Sequence, residues 1–185
     1  MLYAIVAYPK VDFGKINDFR KKYDPHFSLI KPHITVAFPF QDTIPEGEII
    51  KHIESRVEEI RSFQITISSY DKFFDHWLYL IISNGKQEVT KLHDVLYTDI
   101  LEKYLRKDLP FIPHITIGLF SKKYLNSVSI DKNAQLDEEK YKKALRELKD
   151  INLNINADVE KVTLVKLNED FTYLTDIKDF DLREA

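Results

Sequence analysis

Two copies of the tetrapeptide Pro-His-Ile-Thr, Pro32–Thr35 and Pro113–Thr116, contain the residues of this sequence best suited to chemistry. An imidazole with a pKa of about 6.5 can accept or donate a proton at neutral pH. A pair of imidazoles can divide that work, one acting as general base and the other as general acid. The threonine hydroxyls can donate hydrogen bonds to phosphate oxygens and stabilise charge in a transition state. The repeat therefore predicts a site for acid–base chemistry at a phosphate.

The surrounding residues predict that each copy is a β-strand. Side chains alternate along a strand, so His33 and Thr35 share one face while Ile34 and Val36 share the other. The second copy alternates in the same way. A single His-x-Thr is usually a surface pair, but its duplication indicates two related halves. Two such strands, related by a pseudo-two-fold axis, would present both histidines and both threonines to one cleft.

The rest of the chain predicts the elements that position these strands. Apolar and alternating runs predict strands at Leu2–Tyr8, His33–Phe38, Phe63–Ser69, His76–Ser83, His114–Phe120, Val162–Leu167 and Phe171–Ile177. Helical spacing predicts one helix after Asp12, one after a Thr43–Glu46 capping box, one starting at Asn84 with Gln87, and one over Asp137–Lys149. Because several strand pairs are joined directly, an α+β or mixed α/β sandwich is predicted rather than a parallel sheet. The polar segment 121–135 is a connection or a substrate loop.

Composition limits the class of protein. The chain has 185 residues, of which 44% are hydrophobic, and this composition favours a folded domain. Its net charge of -3 disfavours a protein that coats nucleic acid without sequence preference. Cysteine is absent, which excludes thiol catalysis and disulfides and fits a reducing cytoplasm. The apolar run at the beginning of the sequence is too short to span a bilayer, so no membrane association is expected. With 4 glycines and no linker, residues 1–185 are predicted to be a single domain whose two lobes share one core.

Three residues close to the first motif are candidate substrate contacts. Arg20 and Lys31 belong to a local basic group, which is either a solvated helix end or a set of cations that reach an RNA phosphate. His26 is near enough in sequence to line the site. No metal-ligand spacing and no nucleotide-binding glycine motif is present, so neither a metal nor another cofactor is expected.

The two His-x-Thr motifs resemble those of the two-histidine (2H) phosphoesterase superfamily, which includes LigT-like 2′-5′ RNA ligases and cyclic nucleotide phosphodiesterases. The stretch Arg20–Thr35 resembles the YjcG-like bacterial branch more closely still. The resemblance implies an α+β fold of two pseudo-symmetric lobes, each an antiparallel sheet with helices outside, around a central cleft. It also implies metal-independent catalysis, with His33 and His114 as catalytic histidines and Thr35 and Thr116 as phosphate-binding residues.

Motifs and resemblance together predict a phosphoesterase. The expected substrate is a phosphodiester, specifically a 2′,3′-cyclic phosphate of an RNA end or a small nucleotide. Two alternatives stay open at this point. The same site could join RNA ends through a 2′-5′ linkage, or it could bind a nucleotide or RNA end without turnover.

Overall fold

Two four-stranded antiparallel sheets and four α-helices form the fold in the computed structural model, which describes residues 1–41, 43–73, 76–122 and 135–184. The strands are β1 (Leu2–Ala7), β2 (Ile34–Gln41), β3 (Phe63–Phe73), β4 (Trp77–Asn84), β5 (His114–Leu119), β6 (Ile155–Val159), β7 (Lys161–Leu167) and β8 (Leu174–Asp181). The helices are α1 (Gly14–Tyr23), α2 (Glu46–Val57), α3 (Lys86–Leu96) and α4 (Glu138–Leu148), and a 3₁₀ helix covers Asp99–Tyr104.

The two sheets have the same local plan. One has the strand order β2-β1-β7-β8 and the other the order β5-β4-β3-β6. In each, a strand leads into a helix and then into the motif strand, which returns to pair antiparallel with the strand before the helix. Both motif strands are therefore edge strands of their sheets. The predicted α+β fold with two pseudo-symmetric lobes is confirmed.

A hydrophobic core that includes residues of both sheets holds the lobes together. Ile5 of β1, Ile65 of β3 and Leu80 of β4 are fully buried in this core. The alternate positions of β1, Ala4 and Val6, pack on the opposite face of their sheet in a smaller cluster. The first sheet thus has one face in the core and the other face in this smaller cluster, as strand alternation requires.

Two predicted helix starts are wrong. The capping box at Thr43–Glu46 does not form: Pro45 is the N-cap of α2, and the Thr43 hydroxyl hydrogen-bonds the Tyr104 hydroxyl at 2.6 Å. Asn84 is the last residue of β4, and α3 is preceded by Gly85 with a φ of 79°. A Cβ at Gly85 would lie 2.4 Å from the Gln64 carbonyl oxygen, so the chain uses glycine here to pass close to β3.

Other boundaries also differ from expectation. The short strand β6 is not predicted, although Ile155–Val159 alternates apolar and polar residues as a half-buried strand does. The closing hairpin forms, but Phe171 lies in its turn and β8 begins at Leu174. The predicted 121–135 connection falls mostly outside the described residues. Among the residues that are described, no helix is long and apolar enough to cross a membrane.

Candidate active site

The two motif strands lie next to each other where the sheets meet. Edge strands β2 and β5 pack against each other, and α1 packs against β5. Ile34 and Val36 of the first motif are buried in the core, as are Ile115 and Ile117 of the second. The histidines and threonines of both copies occupy the alternate, half-buried positions. The alternation predicted for each motif strand is thus observed.

The two motif histidines have the same local geometry. Nδ1 of His33 lies 2.9 Å from the carbonyl oxygen of Lys31, and Nδ1 of His114 lies 2.5 Å from that of Ile112. Because a carbonyl oxygen only accepts, Nδ1 carries the hydrogen in each ring. In the neutral imidazole, Nε2 then has the lone pair and can accept a proton. Each motif thereby fixes both the tautomer and the orientation of its imidazole.

Burial keeps both motif histidines neutral at pH 7. It lowers the pKa of His33 to about 4, and the pKa of His114 also to about 4. For His33, smaller contributions from the Arg20 guanidinium and from the His114 imidazole lower the pKa further, while the hydrogen bond to Lys31 and the Asp24 carboxylate raise it.

Aromatic rings contact the two imidazoles in different ways. The ring of Tyr79 on β4 stacks on that of His114, with centroids 3.7 Å apart and an angle of 20°. The ring of Tyr8 meets His33 edge-on at 6.4 Å and 68°. Tyr79 is paired across the sheet with Thr116, so it lies on the cleft face beside the second motif. Each imidazole therefore borders the ring of a tyrosine.

The sequence of this chain is similar to those of known bacterial proteins. The sequence matches the 2′-5′ RNA ligase superfamily over residues 8–171, which is most of the chain. The chain belongs to this superfamily. A Geobacillus thermodenitrificans protein named "Putative phosphoesterase" is 32% identical over 125 residues, which cover 64% of this chain and 69% of that protein. A Bacillus licheniformis protein that is also named "Putative phosphoesterase" is 30% identical over 124 residues, which cover 64% of this chain and 70% of that protein.

Solved structures share the fold of this superfamily member. A Thermus thermophilus protein matches with a TM-score of 0.61 and 16% identity, covering 100% of this chain and 99% of that one. Escherichia coli LigT in complex with 3′-AMP matches with a TM-score of 0.56 and 15% identity, covering 97% and 98% of the two chains. At such identities the likeness shows the fold alone.

Arg20 is buried, whereas both interpretations of the basic group, a solvated helix end and a contact to an RNA phosphate, require an exposed side chain. Its side chain is 1% exposed and forms an ion pair with the equally buried Asp24, with Nη2 2.7 Å from Oδ2. Nη2 also donates to the carbonyl oxygen of Ile30 at 2.9 Å. Arg20 is therefore neither a solvated helix end nor available to an RNA phosphate. The helical spacing places it on the buried face of α1, one turn after the buried Ile16.

The other two candidate contacts lie at the surface of the cleft region. Lys31 is exposed, and its Nζ lies 5.9 Å from the centre of the Tyr8 ring, on the side of the first motif. His26 is half-buried and has ring contacts with Trp77 and Phe171. Whether either residue contacts substrate stays a prediction.

The sequence pattern missed the aromatic residues that border the motifs, Tyr79 and Trp77. Both lie in the run His76–Ser83, which is predicted as a strand, and they occupy alternate positions of it. Only the pairing of β4 with β5 shows that this face is shared with the second motif.

Among the described residues, no group of three or more His, Asp or Glu side chains is arranged to hold a metal ion.

Proposed function

We propose that this protein is a phosphoesterase that hydrolyses a 2′,3′-cyclic phosphate at an RNA end or on a small nucleotide. One observation carries the proposal. Two imidazoles, one directly before β2 and one at the start of β5, each have Nδ1 bound to a backbone carbonyl, which leaves Nε2 of His33 and of His114 for the substrate. Such a pair suits a reaction in which one proton is taken and another is given.

In the proposed reaction, the cyclic phosphate lies between the two histidines. One neutral imidazole takes a proton from water as the water oxygen forms a bond to phosphorus. The bond from phosphorus to the ribose 2′ or 3′ oxygen breaks, and the other imidazole, protonated, gives its proton to that oxygen. The hydroxyls of Thr35 and Thr116 donate hydrogen bonds to the non-bridging oxygens, where negative charge increases. The first imidazole then releases its proton to solvent and the second takes one up, which restores the starting protonation of the pair.

A nucleotide substrate is supported by a structural neighbour. Escherichia coli LigT has been crystallised with 3′-AMP and with ATP, and 3′-AMP has the form of a ring-opened cyclic phosphate. The resemblance of the motifs to the 2H superfamily implies that no metal takes part. A cysteine-free sequence fits a reducing cytoplasm, where we place the activity.

The name of the superfamily supports ligation as a second candidate function. If a ribose 5′ hydroxyl replaced water as the nucleophile, the same proton transfers would join two RNA ends through a 2′-5′ linkage. Both reactions use the same phosphate position and the same pair of imidazoles.

The test is incubation of the full chain with nucleoside 2′,3′-cyclic phosphates, in buffer with and without EDTA, followed by chromatographic separation of 2′ and 3′ monoesters. We expect ring opening that EDTA does not reduce. His33→Ala and His114→Ala should each lower turnover by roughly 10²–10⁴-fold, because general acid–base catalysis contributes about that much. An RNA with a cyclic phosphate end and a partner with a 5′ hydroxyl tests ligation in parallel.

His52→Gln is the matched control, because His52 is a buried histidine away from the motifs whose Nε2 lies 2.9 Å from the Leu96 carbonyl oxygen. An amide can keep that hydrogen bond, so turnover should stay at the wild-type level. Tight binding of the cyclic nucleotide without any ring opening or ligation would contradict the proposal and identify a binding module. Turnover that survives in both alanine variants would place the chemistry elsewhere.

A further inference from the structure

Three aromatic rings form a row that joins the two sheets, and we call it the aromatic row: Trp77, His26 and Phe171. The imidazole of His26 and the indole of Trp77 are nearly parallel, with centroids 6.3 Å apart and an angle of 16°. On its other side, His26 meets the ring of Phe171 at 5.9 Å and 53°. The three residues come from β4, from the loop after α1, and from the turn between β7 and β8. Residues distant in sequence thus converge on one place.

The aromatic row begins beside the second motif. Trp77 and Tyr79 lie two residues apart on β4, so their side chains point to the same face of the sheet. Tyr79 is directly opposite Thr116 and stacks on His114. At a rise of about 3.3 Å per residue, Trp77 lies about 7 Å along the strand from Tyr79. Trp77 is paired with Leu119, the last residue of β5, so it lies beyond Thr116 along the strand from His114.

Hydrogen bonds fix the loops that carry the other two rings. The backbone N–H of His26 donates to Oδ1 of Asp24 at 2.9 Å, and Asp24 is itself held by the buried Arg20. In the β7–β8 turn, the Asn168 side chain accepts from the backbone N–H groups of residues 172 and 173, at 3.0 and 2.9 Å. Ring positions that are set before a ligand arrives reduce the entropy lost on binding.

Phe171 has an unusual backbone conformation that directs its ring. Its φ is 55°, in the left-handed region that bulky residues avoid. A strained residue of this kind persists only where the surrounding structure holds it, and such residues concentrate at ligand sites. Here the strain places an aromatic ring against His26 and against the small cluster of β1 and β7.

The exposure of the row distinguishes it from the core. Trp77, His26 and Phe171 are all half-buried, whereas the core rings Phe19 and Phe120 are 2% and 0% exposed. Half-buried aromatic rings beside a phosphate site are the arrangement on which nucleic-acid-binding proteins stack bases. Every base has a π-face, so a stacking surface of this kind tolerates different bases.

We propose that the aromatic row binds the base of the substrate, with the base stacked on the indole of Trp77 while its phosphate lies between the two motifs. This inference rests on the proposed function and identifies the residues that recognise the base of its substrate. The substrate is a nucleoside or terminal-nucleotide phosphodiester, and a phosphodiester without a base is bound weakly. Purine and pyrimidine nucleotides are both accepted.

The chain offers a direct probe, because Trp77 is its only tryptophan. Intrinsic tryptophan fluorescence therefore reports on the aromatic row alone. We expect 3′-AMP and 3′-CMP to change the emission of the wild-type protein in a saturable way, and inorganic phosphate to leave it unchanged. No turnover is needed for this measurement. Emission that stays constant at saturating 3′-AMP, with binding verified by calorimetry, would overturn the inference.

Calorimetry on variants measures the contribution of the ring. Trp77→Leu should weaken 3′-AMP binding by roughly 10- to 100-fold, the usual worth of one stacked base, and leave the affinity for inorganic phosphate unchanged. Trp77→Phe should retain most of the affinity. Tyr173→Leu is the matched control, because Tyr173 is 50% exposed and lies in the same turn as Phe171 but outside the row. It should bind 3′-AMP as the wild type does.

The outcomes separate this inference from the proposed function. Equal weakening of 3′-AMP and phosphate in Trp77→Leu would mean that the indole is only structural and would overturn the inference. Ring opening of a methyl riboside 2′,3′-cyclic phosphate as efficient as that of the nucleosides would also overturn it, while the phosphoesterase proposal stands. Base-dependent binding without any ring opening or ligation would support the aromatic row and contradict the proposed function. If Trp77→Leu does not fold, 3′-AMP binding by Trp77→Phe and the fluorescence of the wild type still test the inference.

Discussion

The two motif histidines have the same backbone geometry but different electrostatic surroundings. His33 lies near the Arg20–Asp24 ion pair, whose guanidinium lowers the pKa of His33 and whose carboxylate raises it, so the pair gives a positive charge on His33 little net support. His114 lies flat against the ring of Tyr79, and the face of an aromatic ring attracts cations. We therefore expect the proton of a singly protonated pair to reside on His114 more than on His33.

The lowered pKa values predict how the activity depends on pH. With both imidazoles at a pKa of about 4, the free protein at pH 7 has almost no singly protonated pair. A mechanism that needs one proton should then show a kcat/KM that rises as the pH falls from 8 toward 5. A bound phosphodiester anion favours the imidazolium, so kcat should peak at a higher pH than kcat/KM. The apparent pKa values on the two sides of this peak belong to the coupled pair of imidazoles rather than to either residue.

The control for this pH profile is stability. The unfolded chain has histidines with a pKa of about 6.5, so below that pH it binds more protons than the folded chain does. The free energy of unfolding should therefore fall as the pH decreases from about 6.5 toward 4, and less so in a His33→Ala variant. Unfolding measured at each pH shows at which pH values a lower rate reflects a smaller fraction of folded protein. A kcat/KM that instead increased steadily up to pH 8 would contradict the paired mechanism.

At the scale of elements, a buried ion pair controls the loop between α1 and β2. Arg20 and Asp24 are 1% and 6% exposed, and Arg20 also holds the carbonyl of Ile30. The next carbonyl, that of Lys31, accepts the hydrogen bond from His33. The pair thus positions the first motif histidine through the backbone, and it positions the ring of His26 through Asp24.

Removal of one partner of this ion pair should destabilise the protein strongly. Arg20→Met or Asp24→Asn leaves a buried group without its partner, which costs about 3–5 kcal/mol when a charge is left. The double variant Arg20→Met with Asp24→Asn should cost clearly less than the sum of these two single variants, because it leaves no unpaired charge. Denaturant unfolding of each variant measures these differences.

The matched control for the ion pair is Lys22→Met on the same helix. Lys22 pairs with Glu147 at 2.9 Å, but its side chain is 60% exposed, so the loss should be about 0–1 kcal/mol. An Arg20 variant no less stable than Lys22→Met would show that the buried pair does not hold the loop.

The sequence predicted which elements exist better than where they begin. Strands with continuous apolar runs, such as β1 and β4, were predicted within one residue at each end, because burial on one or both faces dominates their composition. The two predicted capping boxes were wrong, since Pro45 and Gly85 set those helix starts through backbone geometry. The capping pattern of Thr43 and Glu46 is local, whereas the partner that Thr43 binds, Tyr104, is distant in sequence.

At the scale of the whole molecule, the repeat predicted two related halves with their motif strands together, but not the strand pairings that build each half. β1 pairs with β7 so that Leu2 lies opposite Leu167, a contact that no local pattern contains. The edge position of both motif strands follows from such pairings. The same limit applies to the site: the motif residues were predicted from alternation, whereas Trp77 and Phe171 needed the assembled sheets. Helical spacing already placed Arg20 near a buried stripe, but its charge suggested exposure.

The assembly of one site from two halves predicts that the motif histidines act as a unit. Each half contributes one imidazole, and a transfer that needs both a base and an acid fails when either is missing. His33→Ala and His114→Ala should each cost roughly 10²–10⁴-fold in turnover, and the double variant should lose little more than the worse single variant. Single-turnover rates with a nucleoside 2′,3′-cyclic phosphate measure the three losses. Because the motif strands border the core, each variant must first unfold at a denaturant concentration near that of the wild type. If the double variant instead lost the product of the two factors, each histidine would contribute independently, and the sharing of one reaction between the two halves would be wrong.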